Sequence, residues 1–261
     1  MTGDRESAAR TVGVAVLVAL ICSLLVSAVV YLLRPYELAY SALERNRAIL
    51  EAAGLVMPGE QVSESELVSR FVELDARVVD LANGTFTEDL DPVTYDYRAA
   101  FDDAAMREPI PDIEDIGRLG FRPRYMTVYL VVADDGRIET LVLPLFARGM
   151  WSTIYGFLAL RGDFRTIAGV AFYEHGETPG IGDRIEAPEW LSTWVGKRLY
   201  GPDDAVRFRI GAASPDVANE YRVDSITGAT MTVTGVGDGI RYWLSDHGYG
   251  RLLRSLREAG N

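Results

Sequence analysis

The hydroxyl most open to covalent chemistry belongs to Thr230, in the stretch Asp224-Ser-Ile-Thr-Gly-Ala-Thr-Met-Thr232. A strand ending at Val223 stops, Thr227, Gly228 and Ala229 form a small-residue turn, and Thr230 opens a helix. Gly228 and Ala229 leave almost no bulk beside that hydroxyl, so a large reagent or cofactor can approach it. A phosphate on Thr230 would sit at a helix N-terminus, where free N–H groups and the dipole favour an anion. The same threonine also suits a plain N-cap role, and these residues alone leave both readings open. Asp224 and Thr227 flank the turn, either as turn and cap hydrogen-bonders or as groups that present Thr230 to a modifying enzyme. A threonine hydroxyl is a poor nucleophile without activation, and no obvious base stands beside it.

A second group follows a strand. Glu177 and Thr178 precede Pro179-Gly180 in a stiff, glycine-bounded loop, Thr178 to Gly182, at an expected sheet end. An ordinary Pro-Gly turn explains it equally well. His175 could act as an acid–base group or as a structural hydrogen-bonder. Trp151, Ser152 and Tyr155 alternate with Thr153 and Ile154 on an expected strand, where aromatics more often fill a core than touch a ligand. The glycines at 235, 237 and 239 lack the G-x-G-x-x-G spacing and lie inside a helix, which excludes a dinucleotide loop.

Composition narrows the classes. The chain has 261 residues, a net charge of −12 and a single cysteine, Cys22. The acidic balance argues against nucleic acid, which needs clustered Lys and Arg. One cysteine excludes an intrachain disulfide and a four-cysteine iron–sulfur site. His175 and His247 are far apart and make no zinc spacing, so no metal site is expected. Any redox role must come from an organic cofactor.

The elements that would position these groups can be read in order. Residues 1–10 form an N-terminal tail. Thr11 to Leu33 is uncharged and spans roughly 34 Å as a helix, enough to cross a bilayer core. Charge does not orient it, because Arg5 and Arg10 precede the span while Arg34, Arg45 and Arg47 follow. Glu37 to Ala53 reads as a helix that continues off the membrane as a stalk, with Leu43, Arg47, Leu50 and Ala53 at helical spacing and a stop at Gly54. Ser63-Glu-Ser-Glu66 is a capping box, with Leu67, Phe71, Leu74 and Val78 on one face behind it. Residues 83–123 read as an irregular surface segment, so 34–123 is expected as a helical stalk plus irregular chain. Strands are expected at Tyr125–Ala133, Arg137–Leu143, Trp151–Leu160 and Thr166–Glu174, with Pro144 ending the second or placing it at an edge. Pro188 opens a helix expected to run through Trp190, Trp194 and Leu199. Short strands at 205–210 and 221–223, a helix at 230–244 and an amphipathic helix at 249–258 complete 124–261. The expected class is α+β: an N-terminal transmembrane helix and a mostly antiparallel sheet with packed helices.

Asp224–Thr232 resembles the flavinylation motif of the FMN-binding domain family, an aspartate followed by Ser/Thr-Gly-Ala-Thr-x-Thr. Gly149-Met-Trp-Ser-Thr-Ile-Tyr-Gly156 and Tyr173-Glu-His-Gly-Glu-Thr-Pro-Gly-Ile-Gly182, with the anchor, are similar to its branch of C subunits from sodium-translocating NADH:quinone oxidoreductases. The resemblance covers nearly the whole chain. It implies FMN joined by a phosphoester to Thr230, with Asp224, Thr227, Gly228, Ala229 and Thr232 as the surrounding motif. It implies that Glu177, Thr178 and Gly180 line the flavin site and that Trp151, Ser152 and Tyr155 belong to a wall of it. Hydrogen bonds near the ring nitrogens would tune the flavin's potential. Ile181 stands where the family usually has leucine, and Asp183 where it has glycine, adding negative charge near the site. The resemblance further implies maturation by a magnesium-dependent flavin transferase that uses FAD. It also implies a single-pass subunit in the inner membrane, its FMN domain periplasmic, among other membrane subunits. That complex oxidises NADH, reduces ubiquinone and exports sodium ions. Two other expectations stand beside it: the FMN subunit of the related ferredoxin:NAD electron-transport complex, and a cofactor-free, membrane-tethered binding module.

Overall fold

The computed structural model describes residues 3–260. They fall into two units, Met1–Glu44 and Arg45–Asn261. In the first, helix α1 (Gly3–Ala53) contains the whole apolar run and continues through Pro35. The tail expected at 1–10 is therefore helical from Gly3, and its first two positions lie outside the described residues. The helix expected at 37–53, continuing off the membrane span at 11–33, is one with it. A proline inside a helix forfeits one backbone bond and costs ~3 kcal/mol, which the intact bonds on both sides outweigh. Apolar side chains point outward all round the run: Leu24 is 70% exposed. Arg10–Ala53 is long and apolar enough to cross a membrane, with a window of mean hydropathy 2.9 that is entirely unburied.

In the second unit the last turns of α1 lie on a sheet. Ala48, Ile49 and Ala52 are buried against Tyr129, Val142, Phe157, Ala159 and Ala171. This stretch was expected as a stalk; it is instead a core element, because its small side chains permit close approach. A β-carbon on Gly169 would lie 2.4 Å from the carbonyl oxygen of Ala52.

Helix α2 (Glu64–Val72) starts at Ser63, whose side chain accepts from the Glu66 N–H as the capping box predicts. It ends sooner than expected, and Val78 lies in strand β1 (Asp75–Asp80). Strand β2 (Thr85–Thr87) pairs with β1, and β1 pairs with β5 (Tyr125–Val132). The separation expected at 123/124 is therefore crossed by the main sheet. Segment 83–123 also contains helix α3 (Tyr97–Asp102) and strands β3 (Arg107–Pro109) and β4 (Phe121–Pro123). Tyr97, Ala100 and Ile110 from it are buried. Its few apolar residues are spaced too irregularly for either period to reveal this.

Strands β6 (Ile138–Arg148), β7 (Thr153–Arg161) and β8 (Ile167–Glu174) complete an antiparallel six-stranded sheet, ordered β2-β1-β5-β6-β7-β8. Strand β6 runs on through Pro144 rather than ending there. Its pairing with β5 reaches only Val142 on that side, while β7 pairs with it from Thr140 to Arg148. Pro144 thus occupies a local edge, where its missing N–H breaks no ladder bond, and its carbonyl accepts from the Tyr249 hydroxyl at 2.8 Å.

Helix α4 (Pro188–Ser192) is shorter than expected and leaves Trp194 and Leu199 buried beyond it. Strands β9 (Arg209–Ile210) and β10 (Arg222–Val223) pair in parallel. Helices α5 (Thr230–Trp243) and α6 (Gly250–Ala259) contribute Val233, Val236, Ile240, Leu252 and Leu253 to the core on the other face of the sheet.

Candidate functional site

The site forms where the β6–β7 turn, the loop after β8 and the first turn of α5 converge. The turn is closed by the Gly149 N–H donating to the Ser152 carbonyl at 2.8 Å. The Ser152 hydroxyl accepts from the Gly176 N–H at 2.6 Å, and the Trp151 indole donates to the Thr178 hydroxyl at 3.1 Å. The strand expected from Trp151 begins only at Thr153, because residues 149–152 are spent on this turn.

Glu177 is the hub and is only 5% exposed. Its carboxylate accepts from the N–H groups of Met150 at 3.2 Å and Trp151 at 3.1 Å, and from the Thr232 hydroxyl at 2.5 Å. Burial alone pushes this carboxyl up, but the Thr232 hydroxyl and the amides of Trp151, Met150 and Ser152 outweigh it and hold it below its ordinary value. Two glycines make the room. A β-carbon on Gly149 would meet Glu177 Oε1 at 2.4 Å, and one on Gly182 would meet its Cβ at 2.8 Å.

His175 supports the loop. Its Nδ1 accepts from the Glu177 N–H at 3.2 Å, which leaves the ring proton on Nε2, 3.1 Å from Glu186. The Glu186 carboxylate raises its pKa above the usual histidine value, against opposing burial.

Thr230 is exposed at the first position of α5, and the N-cap is Ala229, with no side-chain cap. The plain N-cap reading of Thr230 is thereby corrected: the chain enters the helix one residue earlier, at buried Ala229. Uncapped first-turn N–H groups remain available to an anion. Thr227 and Gly228 form the exposed turn before it, with Gly228 at φ +88°. The Asp224 side chain is exposed and ion-paired to Arg222, and its carbonyl accepts from the Trp190 indole at 2.7 Å. Thr232, 2% exposed, points inward to Glu177.

Two clefts flank Thr230. One, of about 200 Å³, is lined by Met150, Glu177, Thr178, Ile181 and Thr232. The other, of about 220 Å³, includes Arg118, Arg148 and Met150. Gly180 lies at the loop tip in the left-handed region, with φ +76°. Trp151 is 67% exposed beside the first cleft's Thr178. Tyr155 is placed elsewhere, under the Arg98 guanidinium at 4.1 Å and against Phe146 and Tyr173. Met150, Ile181 and Met231 are exposed apolar side chains around Thr230; the first two fall within blocks the resemblance pointed to, and Met231 was missed as a contact. Methionine at the variable position of the motif was the one available signal. Arg118 and Arg148 gave none.

The residues present fit FMN. Thr230 offers an accessible hydroxyl, α5 offers free N–H groups for a phosphate, and Met150, Ile181 and Met231 offer apolar surface to a planar ring. The negative charge of Glu177 is compensated by its own donors, the Thr232 hydroxyl and the N–H groups of Met150 and Trp151.

The FMN-binding domain family matches residues 149–245. The C subunit of the Na(+)-translocating NADH-quinone reductase of Pseudomonas aeruginosa is 42% identical over 98% of both chains. That of Vibrio alginolyticus is 34% identical over 99% of this chain and 98% of its own. The crystal structure of Shewanella oneidensis NqrC superposes with a TM-score of 0.73 at 31% identity, covering 84% of this chain and 99% of that one.

Proposed function

The chain belongs to the family of C subunits of the Na(+)-translocating NADH-quinone reductase, and from that premise we propose that it carries FMN as a phosphoester on Thr230 and relays electrons inside that complex. It is an FMN-carrying subunit of an oxidoreductase assembly, held with other subunits. The observation that carries the attachment reading is Thr230 itself, exposed at the uncapped start of α5 between two clefts.

Bound FMN supplies reversible uptake and release of electrons. The chain's own residues do the rest. Thr230 provides the ester oxygen, and the first-turn amides of α5 favour the phosphate charge. Glu177 ties the loop before Pro179 to Thr232 and keeps the first cleft in shape. Trp151 and Thr178 stand at the rim as hydrogen-bonding and apolar contacts. The Glu177 carboxylate is engaged by Thr232, so esterification is assigned to a separate flavin transferase. The apolar run of α1 anchors the chain in the membrane, with the FMN domain on the periplasmic side and sodium export performed by the assembly.

Intact mass and peptide mapping test this reading. The chain produced with an active flavin transferase should gain one FMN less water on the peptide containing Thr230, and Thr230→Leu should gain nothing while keeping its fold. An unmodified wild-type chain under those conditions sinks the reading.

A further inference from the structure

Segment 111–120 has no role in the reading above, yet it borders the attachment residue. Its turn is built tightly. The Asp115 carboxylate accepts from the N–H groups of Leu119 at 2.8 Å and Gly120 at 2.7 Å. Gly117 is buried against α5, where a β-carbon would meet Gly239 and Tyr242 at 3.4 Å. Glu114 reaches His247 at 3.1 Å. Held at these three points, the turn places Arg118 in the left-handed region, with φ 53°. Arg118 lines the second cleft together with Arg148, Gly235 and Thr230.

Both arginines are exposed, and neither forms an ion pair among the described residues. The acidic residue in the cleft is Asp238, and its carboxylate is held by Arg241 at 2.5 Å. The lining of this cleft therefore brings two arginines without ion-pair partners, along with Ile116, Met150 and Met231, next to Thr230. The cleft on the other side of Thr230 is apolar and carboxylate-lined. Such a division suits a ligand with a planar apolar end and an anionic end. Guanidinium groups recognise phosphate oxygens by paired N–H donors.

We propose that Arg118 and Arg148 form the phosphate-recognition half of the attachment site and grip the phosphodiester on Thr230. This rests on the attachment reading above. The grip orients the flavin toward the Glu177 side and restrains it there. It also gives the turn at 111–120 its purpose, since the turn delivers one of the two cations.

The test uses the full-length, flavinylated chain and its Arg118→Gln/Arg148→Gln double variant, which keeps polar side chains and removes both charges. Mass spectrometry first establishes flavin on Thr230; failure in the wild type overturns the attachment reading and leaves nothing for the arginines to grip. With flavin present, the proposal expects a displaced 31P resonance in the double variant. It also expects flavin fluorescence anisotropy to fall and flavin circular dichroism to weaken at least twofold. The Arg118→Lys/Arg148→Lys variant should recover part of each signal. Unchanged 31P shift, anisotropy and dichroism in a fully flavinylated double variant overturn the proposal while leaving attachment intact. Should the double variant accept no flavin, free FMN added to the unmodified chains decides: equal affinity for wild type and variant overturns the proposal, and weaker binding by the variant supports it.

Discussion

The Thr232 hydroxyl donates to Glu177 Oε2 at 2.5 Å, joining the first turn of α5 to the loop after β8. Both groups are buried, and Gly149 and Gly182 close around the carboxylate. Segment 224–232 and the Glu-Thr-Pro-Gly loop are therefore one mechanical unit, with Thr230 exposed on its surface.

Glu177→Ala should lower the stability of the detergent-solubilised chain by about 3 kcal/mol, because Thr232 and two backbone N–H groups lose a charged acceptor. Thermal unfolding measures this. A change below the scatter of replicate melts would show that water replaces the carboxylate without cost.

The same carboxyl sets an acid limb. Its folded pKa is depressed, so its contribution is fully present above the unfolded value near 4.5 and is lost as pH falls through the lower, folded value. Glu177→Gln should flatten the pH dependence of stability below that unfolded value. Parallel acid limbs in wild type and variant would count against it.

Gly235 and Gly237 should respond oppositely to alanine. At Gly235 the new β-carbon would lie 1.8 Å from the Arg148 carbonyl oxygen, so α5 must move off β6, at ~3 kcal/mol or more. At Gly237 the nearest atom is on Ile210 at 3.6 Å, ordinary contact, and the helix gains roughly 0.5–1 kcal/mol. Urea unfolding of both variants checks the contrast; equal effects would refute the close approach at Gly235.

Arg98 holds the two carboxylate oxygens of Glu174 at 2.7 Å each while its guanidinium covers Tyr155. The pair is partly exposed, so Arg98→Ala should cost only ~1–2 kcal/mol. Arg98→Lys should recover less than half, since an ammonium cannot make the paired contact. Full recovery by lysine would show that charge alone matters.

Trp190→Phe should preserve the ring packing against Phe172 and Trp194 but release the Asp224 carbonyl. Amide exchange across residues 224–229 should accelerate by roughly fivefold, the effect of losing ~1 kcal/mol of hydrogen bonding. Unaltered exchange there would remove Trp190 from the support of the turn before Thr230.

The local chemistry of this chain was legible without coordinates. The uncharged run from Thr11, the capping box at Ser63, the strand periods through 125–174 and the turn before Thr230 each depend on near neighbours in the chain. The resemblance pointed to Thr230 in one block and to Glu177 in another, and Thr232 joins the two blocks in the fold. Tertiary structure decided what those patterns meet. Val78 reads as part of a helical stripe until β5 offers its edge as a partner. Pro144 reads as either a strand end or an edge residue, and the end of the β5–β6 pairing at Val142 decides for the edge. Arg118 carries no signal at all, because its place beside Thr230 depends on Asp115, Gly117 and His247 acting across distant parts of the chain. Propensity and spacing are short-range properties; which surfaces meet is a property of the packed whole.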